Sequence, residues 1–305
     1  MPAPRGSRFV NKEETACGFC AVIGAPNAGK STLVNQLTGS KVSIVTHKVQ
    51  TTRARIRAIF VEGNAQVVLV DTPGIFAPRR KLDEAMVESA WTGAGEADAV
   101  LLLIDAARGL DEDAQRLLAG ADKLKHTPML ALNKIDLIDR TKLLETAAAL
   151  NEVAKFSATF MISALTGSGT ADLKRHIAKL MPQGPWLYPG DQTADIQLRF
   201  LASEITREKL FLRLHDELPY QSTVETEAWE ERKDGSVKID QVIYVQRDSQ
   251  KKITIGEGGK TIRDIGQKAR MELEQMLERK VHLFLFVKVR ENWENDPERL
   301  RLMGL

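Results

Sequence analysis

Cysteine is scarce: the 305 residues include only Cys17 and Cys20. Two thiols cannot staple a chain of this length, and sparing use of cysteine suits a reducing compartment such as the cytoplasm. The pair forms a C-x-x-C, a spacing compatible with redox or zinc chemistry. Both residues, however, border the apolar run Phe19 to Ile23, which reads as a strand. In a strand, a separation of three puts side chains on opposite faces, about 10 Å apart. A disulfide needs Cα atoms within about 7 Å. With no second cysteine pair and five scattered histidines, zinc would lack its other ligands. A structural role is expected for both.

An excess of one charge is also missing. The net charge of +2 argues neither for nor against a nucleic-acid partner, so only local clusters can inform. Long apolar runs are absent as well. None approaches the roughly 18 residues of a membrane span, so no transmembrane segment is expected. Residues 1–16 (MPAPRGSRFVNKEETA) have no apolar centre, which excludes a signal peptide there; a frayed, basic extension is expected. The 43% hydrophobic and 28% charged residues are globular proportions, and the length suggests about two domains.

What the sequence does have is Gly24-Ala25-Pro26-Asn27-Ala28-Gly29-Lys30-Ser31-Thr32, which fits the phosphate-binding loop G-x-x-x-x-G-K-[ST]. A strand pattern precedes it, and a helical one with Leu33, Val34 and Leu37 follows. Glycines let the backbone wrap around phosphates, with N–H groups and a helix N-terminus facing the negative charge. Lys30 is expected to reach the β- and γ-phosphates and Ser31 to hold Mg²⁺. A glycine-rich turn before an ordinary helix is the plain alternative, which the later motifs oppose.

Those motifs stand at the ends of apolar strands. The polar segment Lys41 to Arg53 is a candidate mobile switch. Beyond it, Arg55–Val61 and Gln66–Val70 read as a hairpin around Gly63-Asn64. The second run leads into Asp71-Thr72-Pro73-Gly74, a D-x-x-G about 47 residues beyond Gly24. Asp71 can support the Mg²⁺ shell and the Gly74 amide can sense a γ-phosphate. After the strand Ala99–Ile104 comes a helix begun by Asp111. The strand Met129–Leu132 then ends in Asn133-Lys134-Ile135-Asp136, an N-K-x-D. The Asp136 carboxylate can accept from guanine N1–H and the exocyclic amine, which adenine does not offer there. A site built to pair such donors discriminates by about 10⁴ or more. Ser163-Ala164, after Thr159–Ile162, has backbone that could meet guanine O6. Strands alternating with helices predict a parallel, doubly wound α/β sheet whose motifs share one edge.

The stretch Met181-Pro182-Gln183-Gly184-Pro185, then Pro189-Gly190, reads as a linker. A second pattern starts at Ile196 in the order helix, strand, strand, helix, helix, strand. Leu210, Leu214 and Leu218 mark its first helix and Asp234-Gly235 a hairpin turn. The helical pattern from Lys251 to about Arg279 breaks at Gly256-Glu257-Gly258-Gly259. A G-x-x-G between two helices in this order matches the α+β KH module, whose loop approaches about four nucleotides of single-stranded backbone. Residues 251–270 hold Lys251, Lys252, Lys260, Arg263, Lys268 and Arg270 against Glu257 and Asp264, an excess suited to phosphate. A helix-turn-helix that binds protein remains open as the alternative.

Taken together, both halves resemble the Era family of bacterial GTPases. GAPNAGKST at 24–32, QTTR at 50–53, DTPGI at 71–75, NKID at 133–136 and ISA at 162–164 bear the likeness. So do ELPY at 217–220, IGEGGKTIRDIG at 255–266 and the W-x-x-D at 293–296. The resemblance implies a P-loop G domain at 17–182, a linker at 183–194, a type II KH domain at 195–292 and a tail at 293–305. It implies GTP or GDP with Mg²⁺ on Ser31, Thr52 and Asp71, and phosphate contacts along 24–32 and 71–75. Guanine contacts would come from Asn133, Lys134, Asp136, Ser163 and Ala164. RNA contacts would come from Lys252, Gly256, Glu257, Gly258, Gly259, Lys260 and Arg263. The implied partners are small-subunit ribosomal RNA near its 3′ end and the maturing small subunit. A monomer with peripheral residence on the inner membrane face is implied as well.

Two features depart from an ordinary pattern. Glu257 and Gly258 fill the variable positions of the G-x-x-G, where basic or polar residues are usual, so Glu257 is expected to weaken phosphate contact. Ile75 follows the D-x-x-G where Ras-like enzymes carry a water-orienting Gln, so slow hydrolysis is expected. Asn27 resembles the P-loop Asn of potassium-stimulated relatives, which suggests K⁺; it could equally just shape the loop. A membrane-linked signalling GTPase whose second domain binds protein is the competing reading of the whole.

Overall fold

The computed structural model describes residues 15–48, 51–78 and 80–296. All but the end of the expected N-terminal extension, Gln50 of the QTTR segment and the tail beyond residue 296 lie outside them. The chain forms two compact units. One comprises the chain up to Ser40, Arg57–Asp71 and Trp91–Asp195. The other comprises Lys41–Ile56, Thr72–Ala90 and the chain from Ile196 onward.

The first unit is built on β1 (Ala16–Gly24), α1 (Lys30–Thr38), β2 (Ile56–Glu62), β3 (Ala65–Asp71), α2 (Lys81–Glu96), β4 (Ala99–Asp105), α3 (Glu112–Ala121), β5 (Met129–Asn133), α4 (Arg140–Val153), β6 (Thr159–Met161), α5 (Thr170–Lys179) and β7 (Ala194–Asp195). The start of α2, through Ala90, groups with the second unit. Sheet order is β6-β5-β4-β1-β3-β2-β7. β1 runs parallel to β3 and β4, β4 to β5, and β5 to β6. Every residue of β3 and β5 is buried. Strands covered on both faces need apolar side chains throughout, which is why they read as unbroken runs. Parallel pairing sends Gly24, Asp71, Asp105, Asn133 and Met161 to one edge, where such sheets bind ligands.

Helices α2 and α4 had no counterpart in the sequence reading. In α2 the buried stripe is Leu82, Met86, Ala90 and Ala94 at four-residue spacing, half of it alanine, interrupted by Gly93 and Gly95. In α4 it is Leu143, Ala147 and Leu150. Small residues can line a helix face against a flat sheet, and they leave little hydrophobic signal.

The segment expected as a linker is bound to the sheet. β7 pairs antiparallel with β2 through Ala58–Ala194 and Arg57–Asp195. The fully buried Gln66 donates to Tyr188 O at 2.7 Å. Its Oε1 accepts from the Leu187 and Tyr188 amides at 2.9 and 3.0 Å. Trp186 Nε1 donates to Asn64 O at 3.0 Å. Local Pro and Gly content signalled irregular backbone correctly, while its partner lies more than a hundred residues away.

The second unit contains α6 (Leu198–Arg213), β8 (Ser222–Glu231), β9 (Val237–Val245), α7 (Asp248–Ile255), α8 (Lys260–Leu277) and β10 (Val281–Val289). β9 is central, antiparallel to β8 and parallel to β10. One face of β9, with Val237, Ile239, Ile243 and Val245, packs on Leu201, Ile205, Leu210 and Phe211 of α6 and on Ile265 and Leu273 of α8. Near the described C-terminus Trp293, 1% exposed, packs with Leu82, Met86 and Phe76. This element order matches the sequence expectation, but the first helix ends earlier than expected, at Arg213, so that Leu214 and Leu218 lie beyond it while still packing in the core.

Both cysteines lie in β1 and are free. Burial pushes the Cys20 thiol up to about 12. Cys20 should therefore resist iodoacetamide at about pH 8 in the native protein and react once denaturant is added, since the thiolate is the nucleophile. Mass spectrometry of the alkylated protein checks this; a Cys17–Cys20 disulfide or a labelled native Cys20 would contradict the strand placement.

Candidate nucleotide site and candidate nucleic-acid interface

The loop after β1 is shaped by two left-handed residues, Asn27 (φ 63) and Gly29 (φ 97). Gly29 caps α1, and a Cβ there would stand 2.3 Å from Asn133 Nδ2. Glycine is thus required both by conformation and by close approach. The first turn of α1 contains no acidic residue, so no carboxylate of the helix itself competes for its N-terminal N–H groups.

Lys30 opens α1 and is 6% exposed. Its Nζ donates to Gly24 O at 3.0 Å and Ala25 O at 2.9 Å. Burial pulls the ammonium down to about 8, against the opposing attraction of Asp71. A buried cation whose hydrogen bonds go only to carbonyls, with Asp71 as a more distant countercharge, is incompletely compensated and fits an anionic ligand. Beside it, Ser31 Oγ donates to Asp71 Oδ2 at 2.9 Å, and Asp71 is fully buried. One carboxylate and one hydroxyl are hard oxygen donors of the kind that Mg²⁺ takes. Among the described residues no group of three or more His, Cys, Asp or Glu could hold a metal. A cation here would therefore complete its shell with phosphate and water oxygens, as Mg²⁺ commonly does.

Asn133 ends β5 and is 2% exposed. Its Nδ2 donates to Ala28 O at 2.8 Å, and its Oδ1 accepts from Ala164 N at 2.9 Å. Asn133, for which a guanine contact is expected, thus also braces the phosphate loop against Ser163-Ala164. Lys134 adopts φ 66 and pairs with Asp105 at 2.7 Å. Asp105 was missed in the sequence; like Asp71, it is an acidic residue closing a buried strand, and that shared position was the available signal. Asp136 lies exposed in a 3-10 turn, open to a ligand, while Ser163 and Ala164 are buried with backbone toward the same edge. Thr52, Thr72, Pro73, Gly74 and Ile75 are buried and group with the second unit.

In the second unit the G-x-x-G follows α7 directly. Gly256 (φ 76) caps α7, and Gly258 (φ 58) and Gly259 (φ 75) lead into α8. A Cβ at Gly258 or Gly259 would meet nothing within 4 Å, so this loop faces open space. Its N–H groups stand at the N-terminus of an 18-residue helix with no acidic residue in its first turn. Lys252, Lys260 and Arg263 are exposed and form no ion pair with another described residue. Lys268 is engaged by Asp264 and Arg270 by Glu274. Of the six cations counted in the sequence, those two are less available for phosphate. Glu257 is exposed at the crest of the loop.

Comparison with known proteins agrees with this pairing of units. A family model described as "50S ribosome-binding GTPase" matches residues 19–134, and one described as "KH domain" matches residues 217–294. The protein named GTPase Era from Brucella suis biovar 1 is 63% identical over 292 residues, covering 96% of this chain and 94% of that one. GTPase Era from Mesorhizobium japonicum is 62% identical over 304 residues, covering 99% and 98%. Among solved structures, Era in complex with MgGDPNP and nucleotides 1506–1542 of 16S ribosomal RNA has a TM-score of 0.90 at 36% identity. It covers 95% of this chain and 99% of that one. A variant of Aquifex aeolicus Era bound to GDP·AlF4⁻ gives the same values. With identity this high along nearly the full length of both chains, and both units in the same order, the chain belongs to the Era family of GTPases.

Proposed function

We propose that this GTPase is a switch in small-subunit assembly: it binds GTP on the first unit's sheet edge, holds ribosomal RNA on the G-x-x-G loop, and times release by hydrolysis. The observation that supports it most is the likeness over 95% of the chain to an Era structure containing both MgGDPNP and a 16S RNA fragment. The family model named for the 50S subunit spans only residues 19–134. The full-length likeness, which includes the KH unit, therefore favours small-subunit RNA near its 3′ end.

In this reading Lys30 and the α1 N-terminus bind the β- and γ-phosphates. Asp136 reads guanine, and Asn133 holds the two loops at the spacing that a nucleotide needs. Ser31, Asp71 and Thr52 would hold Mg²⁺, which supplies charge neutralisation at the phosphates. Hydrolysis transfers the γ-phosphoryl group to water, and the buried Ile75 side chain cannot orient that water. Turnover without an activator is accordingly slow. Asn27, exposed at the loop crest, is available as an oxygen ligand for K⁺. The reading extends to a monomer that visits the inner membrane face peripherally; no helix among the described residues is long and apolar enough to cross a membrane.

Asp136→Asn loses a charged acceptor pair and should cut GTP affinity by about 100-fold while raising xanthosine triphosphate affinity. Titration with both nucleotides checks it, and unchanged GTP binding removes Asp136 from the site. Lys30 sets a pH dependence. Its pKa of about 8 must rise when phosphates approach, so binding takes up a proton above that pH. Affinity is thus full below about pH 8 and falls as pH rises through it. Calorimetry at about pH 9 in two buffers of different ionisation enthalpy reads the uptake directly.

The RNA interface is tested at the loop. Gly259→Asp should fold, since space is open and Asp tolerates left-handed backbone, yet lose single-stranded RNA affinity strongly with GTP binding intact. Lys260→Ala should weaken binding evenly across sequences and lower the salt slope by about one; Glu257→Lys should tighten it. Filter binding at several salt concentrations measures all three. Wild-type RNA affinity in Gly259→Asp would favour the protein-binding reading of this unit.

A further inference from the structure

Arg53 of the QTTR segment, ELPY at 217–220 and the W-x-x-D at 293–296 carry the family likeness but have no role assigned in either site. Their described residues meet at one point in the second unit. The Arg53 guanidinium, 2% exposed, donates to Ser222 O at 2.8 Å, Tyr220 O at 3.1 Å and Pro219 O at 3.3 Å. It lies over the rings of Phe211 and Trp293, 5.3 and 5.6 Å from their centroids. Trp293 Nε1 donates to Gln221 O at 3.1 Å, in the same turn.

A second guanidinium stands against the same ring. Arg207 of α6, also 2% exposed, is 5.0 Å from the Phe211 centroid. Its Nε and Nη2 bond Glu204 at 2.7 and 2.5 Å, and Nη2 also donates to Thr51 O. Arg53 Nε and Arg207 Nη1 are buried without a hydrogen-bond partner. Two neighbouring cations with unfilled donors destabilise relative to an apolar cluster of the same shape. Such an arrangement calls for a reason other than stability.

The reason is in the segment they grip. Residues 41–56 are anchored on the second unit at several places. Val45 N donates to Glu208 Oε1 at 2.9 Å, Lys41 pairs with Glu208 Oε2 at 2.8 Å, and Lys48 Nζ donates to Leu214 O. Lys41 also pairs with Glu272 of α8. The two arginines bracket a single residue: Arg207 holds the carbonyl before Thr52, and Arg53 is the residue after it. We propose that Arg53 and Arg207 are positioning residues for the Mg²⁺-dependent GTPase reaction, fixing the backbone on both sides of Thr52 from the RNA-binding unit. The proposal rests on the reading of Thr52 as a ligand of Mg²⁺.

Arg53→Lys and Arg207→Lys keep the charge and remove the planar fork that reaches several acceptors at once. Each should raise the Mg²⁺ concentration for half-maximal GTP hydrolysis by about tenfold or more, the usual effect of losing an outer support of a metal ligand. GDP affinity and single-stranded RNA binding should stay at wild-type values, which also shows that both units are folded. Wild-type Mg²⁺ dependence in both variants overturns the proposal. Where an arginine variant loses RNA binding through misfolding, Glu208→Gln replaces it; that change removes the charge that holds Lys41 and Lys209 and weakens the acceptor for Val45 N. It should shift the Mg²⁺ requirement in the same direction, and an unchanged requirement in the folded variant overturns the proposal equally. Thr52→Ala separates the two layers. If it raises the Mg²⁺ requirement and the other variants do not, positioning fails while Thr52 stands as a ligand. If Thr52→Ala itself changes nothing, both fall.

Discussion

The buried amide of Asn133 is the interaction on which the nucleotide edge depends. Its two ends join backbone that is distant in sequence, Ala28 in the phosphate loop and Ala164 after β6. A single planar group that donates to one loop and accepts from another sets the distance between them. It also explains Gly29, since any Cβ there would collide with the Asn133 amide. Phosphate recognition and base recognition are separate chemistries on separate loops. A nucleotide of fixed length can satisfy both only if those loops are held at a fixed spacing.

Buried cations are the second organising theme. Lys30, Arg53 and Arg207 are each nearly inaccessible to water. Of the three, only Arg207 has a full carboxylate partner, Glu204. Lys30 relies on two carbonyls, and Arg53 on three carbonyls and two aromatic faces. Carbonyl and ring quadrupole contacts offset only part of the desolvation of a cation. Around Lys30 the deficit favours an anion. Around Arg53 it is a standing cost, tolerated where the chain must keep a long polar segment in one place.

Family membership and bottom-up chemistry agree on the division of labour. The first unit's edge presents charge and hydrogen-bonding groups suited to a nucleotide. The second unit's loop presents N–H groups and free lysines suited to a phosphate backbone. The segment 41–56 lies between these in sequence but groups with the second unit.

Much of this was legible in the sequence. The phosphate loop, D-x-x-G, N-K-x-D and G-x-x-G each depend on residues adjacent in the chain, placed by the strand or helix that runs into them. Spacing along the sequence therefore specifies their local geometry, and the break between α7 and α8 fell where Gly256-Glu257-Gly258-Gly259 put it. Tertiary structure alone decided the rest. Which strands are neighbours determined that Asn133 would brace two distant loops and that Lys134 would find Asp105. Packing at long range determined that Gln66 would tie down residues 187–188 and that Arg53 would close on the ELPY turn. A side chain's chemistry is written in its identity, but its partner is set by hydrophobic burial of whole elements, and burial brings together residues that no local window contains.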